Sequence, residues 1–297
     1  MAMSKTLSGW LMAARPFSLS LSIVPVAVGA ALAWAAARNV NGAAVSVALI
    51  GAVLIHIGAN IHNDTLDAAP GADRVERFGP PRATARGLLS AGAVRRGAAL
   101  SFALAALAGC YLVWVGGWPI LALGLASIAA GWAYSGGPRP IAHSPLGEFF
   151  VVVFFGLGAV GGTYWLCTLQ LSAAALAGGL ALGCFAAAVL AVNNYRDVEV
   201  DRRAGRLTLP MVIGARATIA LYALFMLAPF ALLPAIARGL PHGSAWPALL
   251  AVAPALWLIA RFAGAPRDRG LNRILLGTVE VQILYAALLA AGLVLVG

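Results

Sequence analysis

The sequence predicts an all-α fold: a polytopic membrane protein of about nine transmembrane helices around a central cavity, with its N-terminus cytoplasmic. Three observations carry that expectation. Hydrophobic residues make up 62% of the chain and charged residues 10%, far from the balance of a soluble globular domain. Apolar runs of about 17–22 residues recur along the whole length, each long enough to cross a roughly 30 Å hydrocarbon core as a helix. The basic residues fall almost entirely on alternate connections between those runs.

In order, the apolar runs cover 17–37, 43–61, 98–116, 118–135, 148–167, 172–193, 217–237, 245–262 and 275–296. A Gly116-Gly117-Trp118-Pro119 turn joins the third to the fourth and leaves their boundary soft. Strands of alternating polarity, as in outer-membrane barrels, are absent, and helices satisfy their own backbone groups in lipid. With the N-terminus cytoplasmic, 18 of the 20 basic residues lie on the cytoplasmic side and only Arg38 and Arg238 face outward. A net charge of +10 is therefore a positive-inside signature with an affinity for membrane lipid, and no nucleic-acid motif accompanies it. The first run follows Lys5 and Arg15 and ends in "AWAAAR", which imitates a secretory signal. Its length and its place at the head of a multi-spanning chain argue for retention. Cys110, Cys167 and Cys184 lie in apolar runs without paired spacing and imply neither a disulfide nor a metal site. No soluble domain interrupts the spans, so 1–297 reads as one transmembrane domain.

Two polar stretches stand out at the cytoplasmic ends of even-numbered spans. In "NIHNDTLDAAPGAD", Asn60, Asn63, Asp64 and Asp67 fall at i, i+3, i+4 and i+7, one face of a helix. In "NNYRDVEVDRRAGR", Asn193, Asp197 and Asp201 are spaced i, i+4, i+8, with Asn194 beside them. Two oxygen-rich stripes facing each other in a low dielectric repel unless a cation lies between them. Hard oxygen ligands suit Mg²⁺, which commonly binds through one or two carboxylates and phosphate oxygens. Arg74, Arg77, Arg82 and Arg86 follow the first stripe, and Arg196, Arg202, Arg203 and Arg206 interleave with the second. Guanidinium forks match phosphate oxygens. Helix capping and local Arg pairing are the bland alternative, and two Arg-flanked stripes on one side favour function over it.

These two stretches resemble the aspartate-rich signatures of the UbiA superfamily of intramembrane prenyltransferases, and the likeness runs through essentially the whole chain. Further stretches resemble one branch, the 1,4-dihydroxy-2-naphthoate polyprenyltransferases of menaquinone synthesis: "ARPFSLSLSIVPVAVG" at 14–29, Gly71-x-Asp73, "RFGPPRA" at 77–83, "YSGGPRPIAH" at 134–143, "GEFFVVVFFG" at 147–156, "DRRAGRLTLP" at 201–210 and "LNRILLGT" at 271–278. The resemblance implies two Mg²⁺ ions bridging the diphosphate of a polyprenyl diphosphate. Asn60, Asp64 and Asp67, assisted by Asp73, would hold one ion, and Asn193, Asp197 and Asp201 the other. It places Asn63, Asn194, Arg82, Arg139 and Arg206 against substrate, Tyr134 near the breaking C–O bond, and Arg15 near the acidic aromatic acceptor. The implied reaction joins the prenyl group to the naphthoate with loss of CO₂ and diphosphate, in a bacterial inner membrane with the site opening to the cytoplasm. Faces such as Tyr134, Phe149 and Tyr195 are candidates for stabilising an allylic cation. The chain departs from the family pattern at Arg206, where Lys is usual, and at Val212, where Arg is usual; His62 and Thr65 also differ.

Other patterns carry less. "GLGAVG" at 156–161 matches a dinucleotide fingerprint but lies inside a span, which makes it a close-packing surface. His56, His62, His143 and His242 are scattered, Glu148 suits a helix start, and Glu280 either lines the cavity or pairs with a neighbour. A cation-coupled transporter using the same aspartates would carry charge deep in its spans, and here Glu280 is nearly alone there. The nearer rivals are prenyl transfer to 4-hydroxybenzoate, homogentisate, a porphyrin or a lipid.

Overall fold

The computed structural model describes residues 5–65, 79 and 82–296. Its elements are helices. α1 (Lys5–Ala14) precedes the spans. Then come α2 (Ser20–Ala37), α3 (Gly42–Thr65), α4 (Ala91–Gly116) and α5 (Trp118–Ala133). They are followed by α6 (Gly147–Thr168), α7 (Ala173–Arg196), the short α8 (Val198–Arg203), α9 (Leu209–Arg238), α10 (Trp246–Ala263) and α11 (Leu271–Leu295). Eight of these are long and apolar enough to cross a membrane, and α5, with 16 residues, is a shorter ninth. The protein is a multi-pass membrane protein.

Polar caps start several of the rods where the apolar runs alone do not locate them. Asn41 Oδ1 accepts the Ala44 N–H at 3.0 Å, Ser90 Oγ the Ala93 N–H at 3.2 Å, and Ser172 Oγ the Ala175 N–H at 3.1 Å. α4 therefore begins at Ala91, seven residues before its apolar run at 98, and α9 and α11 also begin earlier than theirs. An apolar window registers the part of a helix inside hydrocarbon, whereas the helix continues into the interface until a cap stops it. The soft α4–α5 boundary resolves to Gly117 alone, with φ 70° and ψ −158°, a conformation open to glycine, and Pro119 fixes the first turn of α5.

The bundle is asymmetric. α7 is the most buried of the long helices, packed against α6, α9 and α11. One continuous apolar core joins α2, α6, α7, α9, α10 and α11. On the other side, α3, α4 and α5 pack mainly on one another. Between the two groups lies a cavity of about 1550 Å³, lined from α2 to α7 and from α11. α9 and α10 contribute no lining residue, so they buttress α7 and α11 rather than ring the cavity as nine equivalent staves.

Glycine lets α6 reach α7. The "GLGAVG" stretch starts at the end of a π-helical turn, Val152–Gly158, and runs on into α-helix, and a Cβ built on Gly156 collides with the Gly179 carbonyl oxygen and the Gly183 backbone. This is backbone-to-backbone packing, the role expected of small residues between membrane helices. The π turn carries Phe154 and Phe155, and Phe150 stands just before it; all three line the cavity. The three cysteines are free thiols. Glu280 lies exposed on the outer face of α11 and does not line the cavity.

Replacing Gly156 by Leu should lower the thermal midpoint of the detergent-solubilised protein, overpacking of this kind costing about 1–3 kcal/mol. Gly264→Ala, at a position with nothing within 4 Å of a built Cβ, should leave the midpoint unchanged.

Candidate active site

Both polar stripes reach the same cavity. Asn60 and Asn63 at the end of α3 line it, as does Asn193 at the end of α7. Five arginines share that end: Arg15, Arg82, Arg86, Arg196 and Arg269. Asn272, from the first turn of α11, completes the polar rim, and among the described residues no Asp or Glu lines the cavity. The remainder of the wall is apolar, apart from Cys110, Ser127, Tyr134, Thr163 and a His56–Ser18–Ser22 patch. A single chamber thus has a cation-rich, carboxamide-rich end and a greasy body.

The carboxylates stand just behind this surface. Asp64 is 2% exposed and accepts the Ala83 N–H at 3.0 Å, the Thr84 N–H at 2.9 Å and the Thr84 hydroxyl at 2.7 Å. It thereby folds residues 82–87 back onto the end of α3. Arg82, 7% exposed, donates to the Asn63 carbonyl and, at 3.2 Å, to Asn63 Oδ1. Capping by Asp64 therefore positions two of the cavity's guanidinium groups, Arg82 and Arg86.

In the second stripe, Arg196 is the hub. Its Nε donates to Asp197 Oδ1 at 2.9 Å and its Nη2 to Asp197 Oδ2 at 2.6 Å. Nη2 also donates to Asn193 Oδ1 at 2.8 Å, and Nη1 to Asn272 Oδ1 at 2.6 Å. The pair is almost fully desolvated, with side chains 2% and 9% exposed, so the bidentate geometry and added carboxamide partners compensate a large burial cost. A Cβ built on Gly79 would lie 2.7 Å from Arg196 Nη2, so the loop after the first stripe touches the heart of the second. Asp201 pairs with Arg206 at 3.3 Å.

The remaining expected residues divide. Tyr134 lines the cavity, and Arg15 does so from a left-handed corner at φ 52°. Asn60 Nδ2 holds that corner by donating to the Ala14 carbonyl at 3.0 Å and to Ser18 Oγ at 3.2 Å. Asn194 faces away from the chamber and donates to Glu148 Oε1 at 2.9 Å, and Glu148 is 2% exposed. Arg139 is exposed and outside the lining, as is Phe149 at 62%. Tyr195 packs edge-on to Phe262 under the Arg267 guanidinium and faces no cavity. In their place Phe150, Phe154 and Phe155 line the chamber, together with Phe17 and Tyr134. Asp67, Asp73, Arg74 and Arg77 lie outside the described residues. Among the described residues no three Asp, Glu, His or Cys side chains converge as a ready metal cluster. The sequence marks Arg196 only as one of four arginines interleaving with the second stripe, and it gives Asn272, Arg269 and His56 no role in the site. The Asn193-x-x-Arg196 spacing, one helical turn, was the available signal for the first of them.

Residues 22–276 match the model of the UbiA prenyltransferase family. The chain belongs to that family. It is 34% identical over 219 residues to a 1,4-dihydroxy-2-naphthoate octaprenyltransferase of Haemophilus influenzae, covering 71% of each chain. To an enzyme of the same name in Mycobacterium tuberculosis it is 37% identical over 214 residues, 72% of each. Among solved structures, a UbiA homologue from Archaeoglobus fulgidus bound to DMAPP and Mg²⁺ aligns with a TM-score of 0.65 at 16% identity, covering 96% of this chain and 99% of that one. The UbiA-family fold is thus shared across nearly the full chain.

Removing one partner of the buried Arg196–Asp197 pair should cost more than removing both. Arg196→Leu should lower stability by about 3–5 kcal/mol. The double variant Arg196→Leu/Asp197→Leu should recover at least half of that loss, read as denaturation midpoints in the same detergent.

Proposed function

We propose that this family member transfers a polyprenyl group from polyprenyl diphosphate to 1,4-dihydroxy-2-naphthoate, releasing diphosphate and CO₂ and giving the quinol, the reduced form of demethylmenaquinone. The observation that carries the reading is the two-ended chamber: five arginines and four asparagines at one end, an apolar body at the other. That division suits a molecule with a polyanionic head and a hydrocarbon tail. The naphthoate assignment is supported by the enzymes named above and by the branch-specific sequence stretches.

The donor chemistry fits Mg²⁺. Asn193 and Asp197 already direct oxygens at one shared positive charge, the Arg196 guanidinium. Asp64, with three donors on its carboxylate, retains lone pairs for another partner. We assign Asn60, Asp64 and Asp67, with Asp73, to one ion and Asn193, Asp197 and Asp201 to a second. When bound, Mg²⁺ supplies charge neutralisation at the departing diphosphate oxygens.

The protein's own residues supply the rest. Arg15, Arg82, Arg86, Arg196 and Arg269 stabilise negative charge growing on the diphosphate as the allylic C–O bond breaks. Tyr134 and the faces of Phe150, Phe154 and Phe155 offer π density to the allylic carbon as it becomes cationic. The apolar walls exclude water that would otherwise capture it. The ring carbon bearing the carboxylate attacks, a C–C bond forms, and the C–CO₂⁻ bond then breaks, returning its electron pair to the ring. The chamber opens on the side of the basic loops, which we assign to the cytoplasm of a bacterial inner membrane.

Membranes containing the protein should form demethylmenaquinol, read as demethylmenaquinone after oxidation on extraction, and release CO₂ from dihydroxynaphthoate and a polyprenyl diphosphate, stop on chelation, and recover with Mg²⁺. Asp197→Ala should reduce turnover about 100-fold or more, the scale of losing one electrostatic element. Prenylation of 4-hydroxybenzoate in a parallel assay, with dihydroxynaphthoate left untouched, would overturn the acceptor assignment.

A further inference from the structure

His56 has no place in the diphosphate machinery, yet it lines the same chamber while only 7% exposed. It lies in α3 four residues before Asn60, so it sits about 6 Å deeper along the helix, where the polar end gives way to the apolar body. Its ring is fixed from several sides. Nδ1 is 3.1 Å from Ser22 Oγ, Nε2 is 3.4 Å from Ser18 Oγ, and Phe155 packs edge-on with centroids 4.9 Å apart.

Counting protons exposes a mismatch. Ser22 Oγ donates to the Leu19 carbonyl at 2.9 Å, and Ser18 Oγ donates to the Arg15 carbonyl at 2.9 Å while accepting from Asn60 Nδ2. Each hydroxyl has one proton, and both are directed at backbone oxygens. With both hydroxyls donating to these carbonyls, a neutral imidazole brings one N–H to its two serine contacts. The shorter Nδ1 contact is the better hydrogen bond. Nε2 keeps the longer and weaker of the two contacts, to Ser18 Oγ at 3.4 Å. A ring nitrogen so weakly held on the chamber wall is the one to which a ligand O–H can make the better hydrogen bond.

We propose that His56 Nε2 accepts the hydrogen bond of a ring hydroxyl on the aromatic acceptor and so sets the acceptor's position and identity. The inference rests on the aromatic-acceptor reading above. Held there, the acceptor ring lies at the edge of the apolar body, beside Phe155 and one turn from the diphosphate end. Accepting a proton share from the hydroxyl also raises the electron density of the attacking ring. Ser18 and Ser22 act as positioning residues that fix the imidazole.

The test measures steady-state kinetics of wild type, His56→Leu and His56→Gln in nanodiscs, with dihydroxynaphthoate and its two monomethyl ethers. His56→Leu should raise the KM for the naphthoate about tenfold and leave the KM for polyprenyl diphosphate within twofold. Wild type should discriminate against one of the two ethers, and His56→Leu should lose that discrimination. His56→Gln, which keeps an oxygen acceptor, should retain most of it. Equal discrimination by wild type and His56→Leu, or a parallel rise in both KM values, or no rescue by Gln, would overturn the proposal. A wild type that prenylates no dihydroxynaphthoate while using the diphosphate with another ring would instead sink the assigned acceptor.

Discussion

A guanidinium withdrawn from water beside a lipid-filled bundle must be neutralised and given partners for its N–H groups, and Arg196 meets both demands. Asp197 supplies the charge and two acceptor oxygens, while Asn193 and Asn272 supply a third and a fourth. Those partners come from the end of α7, the turn after it and the start of α11. Gly79 presses against the same group from the loop that follows α3. One buried cation therefore ties together three regions far apart in sequence, and it does so at the polar end of the chamber.

The first stripe solves the same electrostatic problem by another route. Among the described residues Asp64 pairs with no cation; its carboxylate is stabilised by two backbone N–H groups and a hydroxyl. That choice folds the following loop so that Arg82 and Arg86 face the chamber. In both stripes the carboxylates hold the arginines in place, and the arginines and carboxamides form the surface a ligand meets. The apolar half depends on the opposite chemistry. Gly156, Gly179 and Gly183 let α6 and α7 approach backbone to backbone, which closes one wall while α3, α4 and α5 stand away from it.

Much of this was legible in the residues. The spans follow from length and apolarity, because a helix in lipid has few alternatives. The stripes follow from helical periodicity, which brings Asn60, Asn63 and Asn193 to the chamber as their spacing implies. Periodicity fails where a side chain's partner is remote in sequence. Nothing near Asn194 announces Glu148 as its partner, and nothing near Arg196 announces Asn272. Of the aromatic residues, Phe149 is exposed while its neighbour Phe150 lines the wall, because an evenly apolar segment does not show which face of α6 meets the cavity. Asp67 and Asp73 fall outside the described residues, so the first stripe's chemistry rests on Asn60, Asn63 and Asp64.

The central claim is that the ends of α3 and α7 grip one anionic head group between them. Anomalous scattering from Mn²⁺ in crystals grown with a non-hydrolysable prenyl thiodiphosphate would locate that grip directly. Our account predicts manganese and diphosphate density between Asn60–Asp64 and Asn193–Asp197, with Arg196 turned onto a phosphate oxygen. Density at any other place, with the two helix ends contacting no part of the ligand, would contradict it.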